Sequence, residues 1–174
     1  MVDRLAIFLV GLLAWSFAEY VIHAWLSHSF NTFAKPLHDV HHRDPHAVFA
    51  IRAWIPIVLT WLGGFALFGW TPGMVFYTGM ATGFTLYEII HYRVHFALPS
   101  GRLETALRMR HLVHHYRGSA ACFGVTSALW DLIFGTEMTG VELKRGIEAV
   151  SATPPLVGKT NLRRLLDFGI PARR

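Results

Sequence analysis

The sequence predicts an all-α, integral-membrane fold of about three transmembrane helices under a cytosolic helical cap. Three observations carry that expectation. Of 174 residues, 53% are hydrophobic and only 16% charged, which is too apolar for an ordinary soluble domain. Three apolar stretches, residues 5–24, 53–70 and 74–90, are long enough or nearly so to cross a hydrocarbon core of roughly 30 Å. The basic residues are also segregated. If the N-terminus lies outside, Arg4 is alone on that face, and the other fifteen of sixteen Lys and Arg share the opposite one. An excess of Lys and Arg marks the cytoplasmic side. The net charge of +5 is thus explained by membrane orientation, and no nucleic-acid partner is expected.

One domain fits this length. The single Cys122 excludes an internal disulfide and cannot by itself build a thiolate metal site. Any metal would be held by nitrogen and oxygen.

Taken in order, the first stretch carries Glu19 near its cytoplasmic end, a costly acid unless it has a partner. A cleaved leader is the rival reading, since Ser16-Phe17-Ala18 offers a small-x-small site. Removal there would strand His23 and His28 on a frayed end, so the stretch is read as a span. Residues 29–52 form a polar connection broken by Pro36 and Pro45. Thr71-Pro72-Gly73 is a tight turn joining the second and third stretches as an antiparallel hairpin. Gly79 and Gly83, four apart, let another helix approach closely. After the turn at Pro99-Ser100-Gly101, residues 103–116 read as a helix. Residues 117–138 are Gly-interrupted and aromatic, a loop or re-entrant segment packed under a site. Residues 1–138 form the membrane unit; 139–174 read as a basic C-terminal tail, with 161–170 suited to an anionic membrane surface.

The chemistry lies in the histidines. Ten of eleven fall into four clusters: His23 and His28; His38, His41 and His42; His91 and His95; His111, His114 and His115. Neutral imidazole is the commonest metal ligand. Ten are too many for one ion; divided between two they give about five each, leaving an open position on a six-coordinate metal. The fold expectation therefore includes a histidine-rich dimetal site in the cap. Residues three and four apart share a helix face, so each of the second, third and fourth clusters can converge. His23 and His28 are about 140° apart on a regular helix. Either the helix unwinds between them or they address different ions. Glu19, Asp39 and Glu88 sit where a carboxylate could accept the outer ring N–H of a ligand and fix its tautomer. For Asp39 a helix N-cap role competes, and for Glu88 an ion pair with Arg93. His46 falls outside the spacing and reads as a surface or loop histidine. Tyr87, Tyr92 and Tyr116 read as interfacial anchors.

These motifs resemble the membrane fatty acid hydroxylase/sterol desaturase superfamily. Glu19-Tyr20-Val21-Ile22-His23 with His28 looks like its first motif, and His38-Asp39-Val40-His41-His42 its second. Tyr87 to His95 resembles the third. His111-Leu112-Val113-His114-His115-Tyr116, continuing through Phe123-Gly124-Val125-Thr126-Ser127 and Trp130-Asp131 to Phe134-Gly135-Thr136, is most like the fatty acid 2-hydroxylase branch. Ala24 stands where the family usually has Arg, and Ala47 where an Asp commonly follows the second motif.

The resemblance implies two iron ions on the ten clustered histidines, with zinc able to substitute, and O2 as co-substrate. It implies hydroxylation of an unactivated C–H of a bilayer lipid, a fatty acyl chain foremost, with electrons from a separate reductase or ferredoxin-type donor. The alternatives within enzymes are a carotenoid ring hydroxylase, whose third cluster spaces its histidines five apart rather than four, and a lipid desaturase. A membrane metal-binding or transport protein is the non-enzyme alternative. It predicts charged groups at mid-membrane, which residues 53–70 and 74–87 lack.

Overall fold

The computed structural model describes residues 3–48, 51–116 and 121–156, with 51–53 as backbone alone. Every regular element among them is helical. The helices are α1 (Arg4–Tyr20), which runs without a break into a π-helical segment (Val21–Ser29), α2 (Ala34–Arg43), α3 (Ile51–Phe68), α4 (Pro72–Phe96), α5 (Arg102–Tyr116), α6 (Leu129–Phe134) and α7 (Gly140–Val150).

Asp3 caps α1 by accepting the Leu5 N–H, one of the donors a helix start leaves unpaired. Thr71 caps α4, with Pro72 in its first turn where a missing N–H costs nothing. The hairpin between α3 and α4 turns at Gly69, whose φ of +59° suits glycine. The turn thus begins two residues before the Thr71-Pro72-Gly73 that the sequence suggests.

Helices α1 and α4 run parallel, in contact along their length. Gly11 meets Gly79, where a Cβ on either would strike the other helix's backbone; four residues on, Gly83 lies against Trp15. Small residues at such a crossing let backbones approach. The register carries Glu19–His23 to the level of Tyr87–His91, so the first and third histidine motifs meet. Among the described residues one helix, Arg4–Ser29, is long and apolar enough to cross a membrane; α3 contributes the shorter apolar run Trp54–Phe68. Helix α4 is long enough, but its last turns interleave Glu88, His91, Arg93 and His95.

The cap has its own core. Leu112 and Val113 of α5 pack with Cys122, Met138 and Val150, and Leu143 and Ile147 of α7 close over them. Residues 140–150, which the sequence assigns to the tail, are therefore helical and packed: Gly146 lies directly on Val113. The stretch 161–170 lies outside the described residues. A second cluster, Tyr20, Ala24 and Phe123 against Trp130, ties the end of α1 to residues 121–136. Gly135 ends α6 in the left-handed region, the usual glycine stop.

Candidate metal centre

All ten clustered histidines converge, in two groups of five. His23, His28, His38, His42 and His114 form the first; His41, His91, His95, His111 and His115 form the second; within each, the ligand atoms lie within 4.8 Å of one another. Every ring presents Nε2. In the first group His38 Nε2 lies 3.1, 2.8 and 2.9 Å from the Nε2 atoms of His23, His28 and His42, and His114 lies 3.1 Å from His42. In the second, His111 Nε2 lies 3.1, 2.8 and 3.0 Å from His91, His95 and His115, and His41 lies 3.1 Å from His91.

Hydrogen bonding cannot account for this. An imidazole Nε2 carries either one proton or one lone pair, yet His38 and His111 each face three nitrogens. A cation resolves the conflict. With metal–nitrogen bonds of about 2.1 Å, adjacent ligands of an octahedron stand about 3.0 Å apart, matching the observed spacing. Five ligands leave one of six positions open. The donor set therefore fits two ions.

Helix geometry explains the partition. Residues four apart differ by about 40° around a helix and adjacent ones by about 100°. His38 and His42 therefore serve one group while His41, between them, turns to the other. On α5, His111 and His115 face the second group and His114 the first. The expected convergence of each cluster on one spot is thus corrected: α2 and α5 each straddle both groups. His91 and His95 do share one. The first motif takes the first of the two alternatives: the helix underwinds into π-helical geometry between His23 and His28, and both rings serve one group. The π-helical segment, in which Phe30 N–H reaches back to Trp25 C=O, puts residues five apart on one face, and such bulges recur at functional sites.

The rings are poised to bind. Burial, reinforced by the neighbouring imidazoles, drives His38, His41, His111 and His115 far below their ordinary value, and burial brings His114 to about 3. All remain neutral near pH 7, as a ligand must.

The carboxylates expected to orient the rings have other partners. Glu19 accepts from Val125 N (2.8 Å), Thr126 N (3.0 Å) and Thr126 Oγ1 (2.6 Å). Glu88 takes the Trp54 indole. Asp39 sits mid-helix, half-exposed, 3.7 Å from Lys35, so it caps nothing. Arg93 pairs with Glu104 at 2.5 Å rather than with Glu88. For two of the rings the outer partner is a backbone carbonyl. His23 Nδ1 donates to Phe123 O and His114 Nδ1 to Ala121 O at 2.9 Å. A carboxylate four residues earlier lies beside its histidine on the helix; the 121–126 loop passes behind the ring, where Nδ1 points.

Asp131 anchors that loop. Fully buried, it accepts from Phe123 N (2.8 Å), Gly124 N (2.7 Å), Thr136 Oγ1 (2.8 Å) and Arg110 (2.9 Å). Glu19 grips the next two residues. The sequence reading met Asp131 only within the resemblance and missed the carbonyls, which carry no residue signature. His46 stays outside both groups, 3.3 Å from Asp44.

Comparison with known proteins agrees with this centre. The fatty acid hydroxylase family model matches residues 8–136, a stretch containing every histidine of both groups. The chain belongs to the fatty acid hydroxylase family. It is 32% identical over 75% of its length to a dihydroceramide fatty acyl 2-hydroxylase of Arabidopsis thaliana. It is 30% identical over 76% to the fatty acid 2-hydroxylase of Mus musculus, and 30% identical over 75% to a ceramide very long chain fatty acid hydroxylase of Schizosaccharomyces pombe. This family member spans 60%, 39% and 42% of those three chains. No solved structure matches it.

Proposed function

We propose that this chain is a membrane-bound, non-haem di-iron oxygenase that hydroxylates an unactivated C–H of a lipid acyl chain, using O2 and electrons from a separate reductase or ferredoxin-type donor. The observation that carries the reading is the pair of adjacent five-imidazole shells in a chain whose relatives are named as fatty acyl 2-hydroxylases. Iron held there supplies the oxidising power that activates dioxygen for attack on an inert carbon. The protein does the rest. Ten neutral imidazoles hold charge without adding any, and residues 121–126 aim His23 and His114. Zinc would fill the same nitrogens without redox chemistry.

Charge and surface support a membrane placement. Leu5, Leu9 and Leu13 on α1, Leu59, Leu62 and Phe68 on α3, and Leu86 and Ile89 on α4 all face outward. Such a surface suits lipid. In this reading α1, α3 and α4 cross the bilayer, Arg4 lies outside, and the histidines and the C-terminus are cytoplasmic.

The test combines metal analysis with lipid profiling of cells with and without the gene, and with His111→Ala or His115→Ala. Two ions per chain and a hydroxylated lipid lost in both variants are expected. A hydroxylated lipid that persists in both variants sinks the reading.

A further inference from the structure

Among the described residues, α6 presents an apolar face that the fold leaves uncovered. Leu132 and Ile133 are 63% and 59% exposed, with Leu129 and Phe134 open beside them. The helix has one charged residue, Asp131, and it turns wholly inward. Its only other polar side chain, Trp130, donates the indole N–H to Ser16 Oγ at 3.0 Å. Four exposed apolar side chains within so short a helix, with no exposed polar group between them, make a contact surface rather than a wetted one.

The neighbouring helix says what makes the contact. Leu9, Leu13 and Phe17 form an exposed stripe at four-residue spacing on Arg4–Ser29, the one described helix long and apolar enough to cross a membrane. Helix α6 packs on the His23 end of that stripe. The Phe17 ring lies 4.7 Å from that of Trp130 and 6.3 Å from that of Phe134, and Phe134 also meets Tyr20 at 5.1 Å and Trp25 at 5.6 Å. Ser16, the partner of Trp130, comes seven residues before the first ligand, His23. At about 1.5 Å per residue, α6 therefore begins roughly 10 Å further into the span than that histidine. A face at that depth, continuous with the exposed stripe of a spanning helix, meets acyl chains. Interfacial helices bury their apolar faces to about 5–10 Å, which matches.

We propose that α6 is a re-entrant membrane anchor: Leu129, Leu132, Ile133 and Phe134 lie among the acyl chains of the cytoplasmic leaflet, and the bilayer is the partner of this face. The chain descends from Phe123, level with His23, to Trp130, level with Ser16. It returns by Thr136, whose C=O takes the Cys122 N–H at 2.9 Å. Asp131 sits on the same helix, so the footing of the loop behind His23 and His114 is the part that the bilayer holds. The inference rests on the membrane placement of α1 and adds a lipid contact made by the cap itself.

The test uses the full chain, with its metal bound, in phospholipid nanodiscs. Cys122, the only cysteine, is buried, and wild type carried through the labelling sets its background. Nitroxide labels are placed one at a time through Leu132→Cys on α6, Leu13→Cys on α1 and Glu148→Cys at an exposed position of α7. Collision rates are then measured with oxygen, which partitions into lipid, and with a water-soluble nickel chelate. Embedding predicts a nickel rate several-fold lower at Leu132 than at Glu148, with a higher oxygen rate, as at Leu13. Metal per chain equal to wild type shows that each variant is folded, and Ile133→Cys carries the test if Leu132→Cys loses metal. A nickel rate at Leu132 matching that at Glu148 overturns the proposal. An immobilised label shielded from both reagents overturns it too, since protein, a second copy included, then covers the face. Lipid-like collisions at Leu13 with water-like ones at Leu132 sink the anchor alone; water-like collisions at both sink the membrane placement with it.

Discussion

At the scale of the residue, the centre depends on side chains that never touch a metal position. Glu19 and Asp131 hold residues 123–126 from two sides, and the carbonyls of Phe123 and of Ala121, two residues before it, fix the tautomer of His23 and His114. Glu19→Ala leaves the buried Val125 N–H and the half-buried Thr126 N–H and hydroxyl unpaired, which predicts a loss of about 1–3 kcal/mol. Asp131→Ala unpairs the Phe123 and Gly124 N–H groups and the Thr136 hydroxyl and removes one of the two carboxylates on Arg110, which keeps Glu137, so the expected loss is larger than for Glu19→Ala. Denaturant titration of the purified protein measures both. A smaller effect for Asp131→Ala than for Glu19→Ala would show that the loop is held elsewhere. Both variants should release metal from the first group before the second, because the outer hydrogen bonds they disturb belong to His23 and His114. Loss of such partners typically lowers metal affinity about 10–100-fold.

At the scale of the element, the parallel contact of α1 with α4 decides whether the two groups exist. His23 and His28 ride on the end of the first helix, His91 and His95 on the fourth, and the glycine crossing sets their relative height. Gly79→Leu must push the Phe8 carbonyl and the α1 backbone away. The expected outcome is loss of both ions and a low folded yield, read by metal per chain. Gly63→Ala on α3 is the control, since nothing lies within 4 Å of the added methyl, and it should keep full metal content. The π-helical turn is the second element-level device. Spacing of five is awkward for an α-helix, and the fold accommodates it by widening one turn, so that ligands and backbone hydrogen bonds are satisfied together.

At the scale of the whole molecule, gathering ten imidazoles, six of them buried, makes the protein sensitive to acid. A free imidazole protonates near pH 6.5, whereas His114 is pushed down to about 3 and His38, His41, His111 and His115 are driven far below their ordinary value. Below about pH 6.5 the unfolded chain therefore binds more protons than the folded one, and stability falls with falling pH. Protons also compete with metal for the same nitrogens. Metal should be retained on dialysis at about pH 7.5 and lost progressively below about pH 6, with the melting temperature falling in parallel. Retention of both ions at about pH 4 would contradict the picture of ten imidazole ligands. Chelation at neutral pH should likewise lower the melting temperature, because ten convergent nitrogens without a cation repel one another's lone pairs.

The candidate ligands were legible in the residue string, because histidine clusters at helical spacing say which atoms can bind metal wherever the helices go. The helical class and the α3–α4 hairpin were legible too, from apolar length and from a Thr-Pro-Gly turn. Tertiary structure decided how the ligands divide. Local spacing tells which histidines share a helix face, but which face meets which group depends on how α2 and α5 sit between their neighbours. It also decided what aims the rings. The sequence suggests Glu19, Asp39 and Glu88 because carboxylates are visible as letters, while the groups that bond His23 and His114 are peptide carbonyls of Phe123 and Ala121. Every residue has such a carbonyl, so only the path of the chain can single one out.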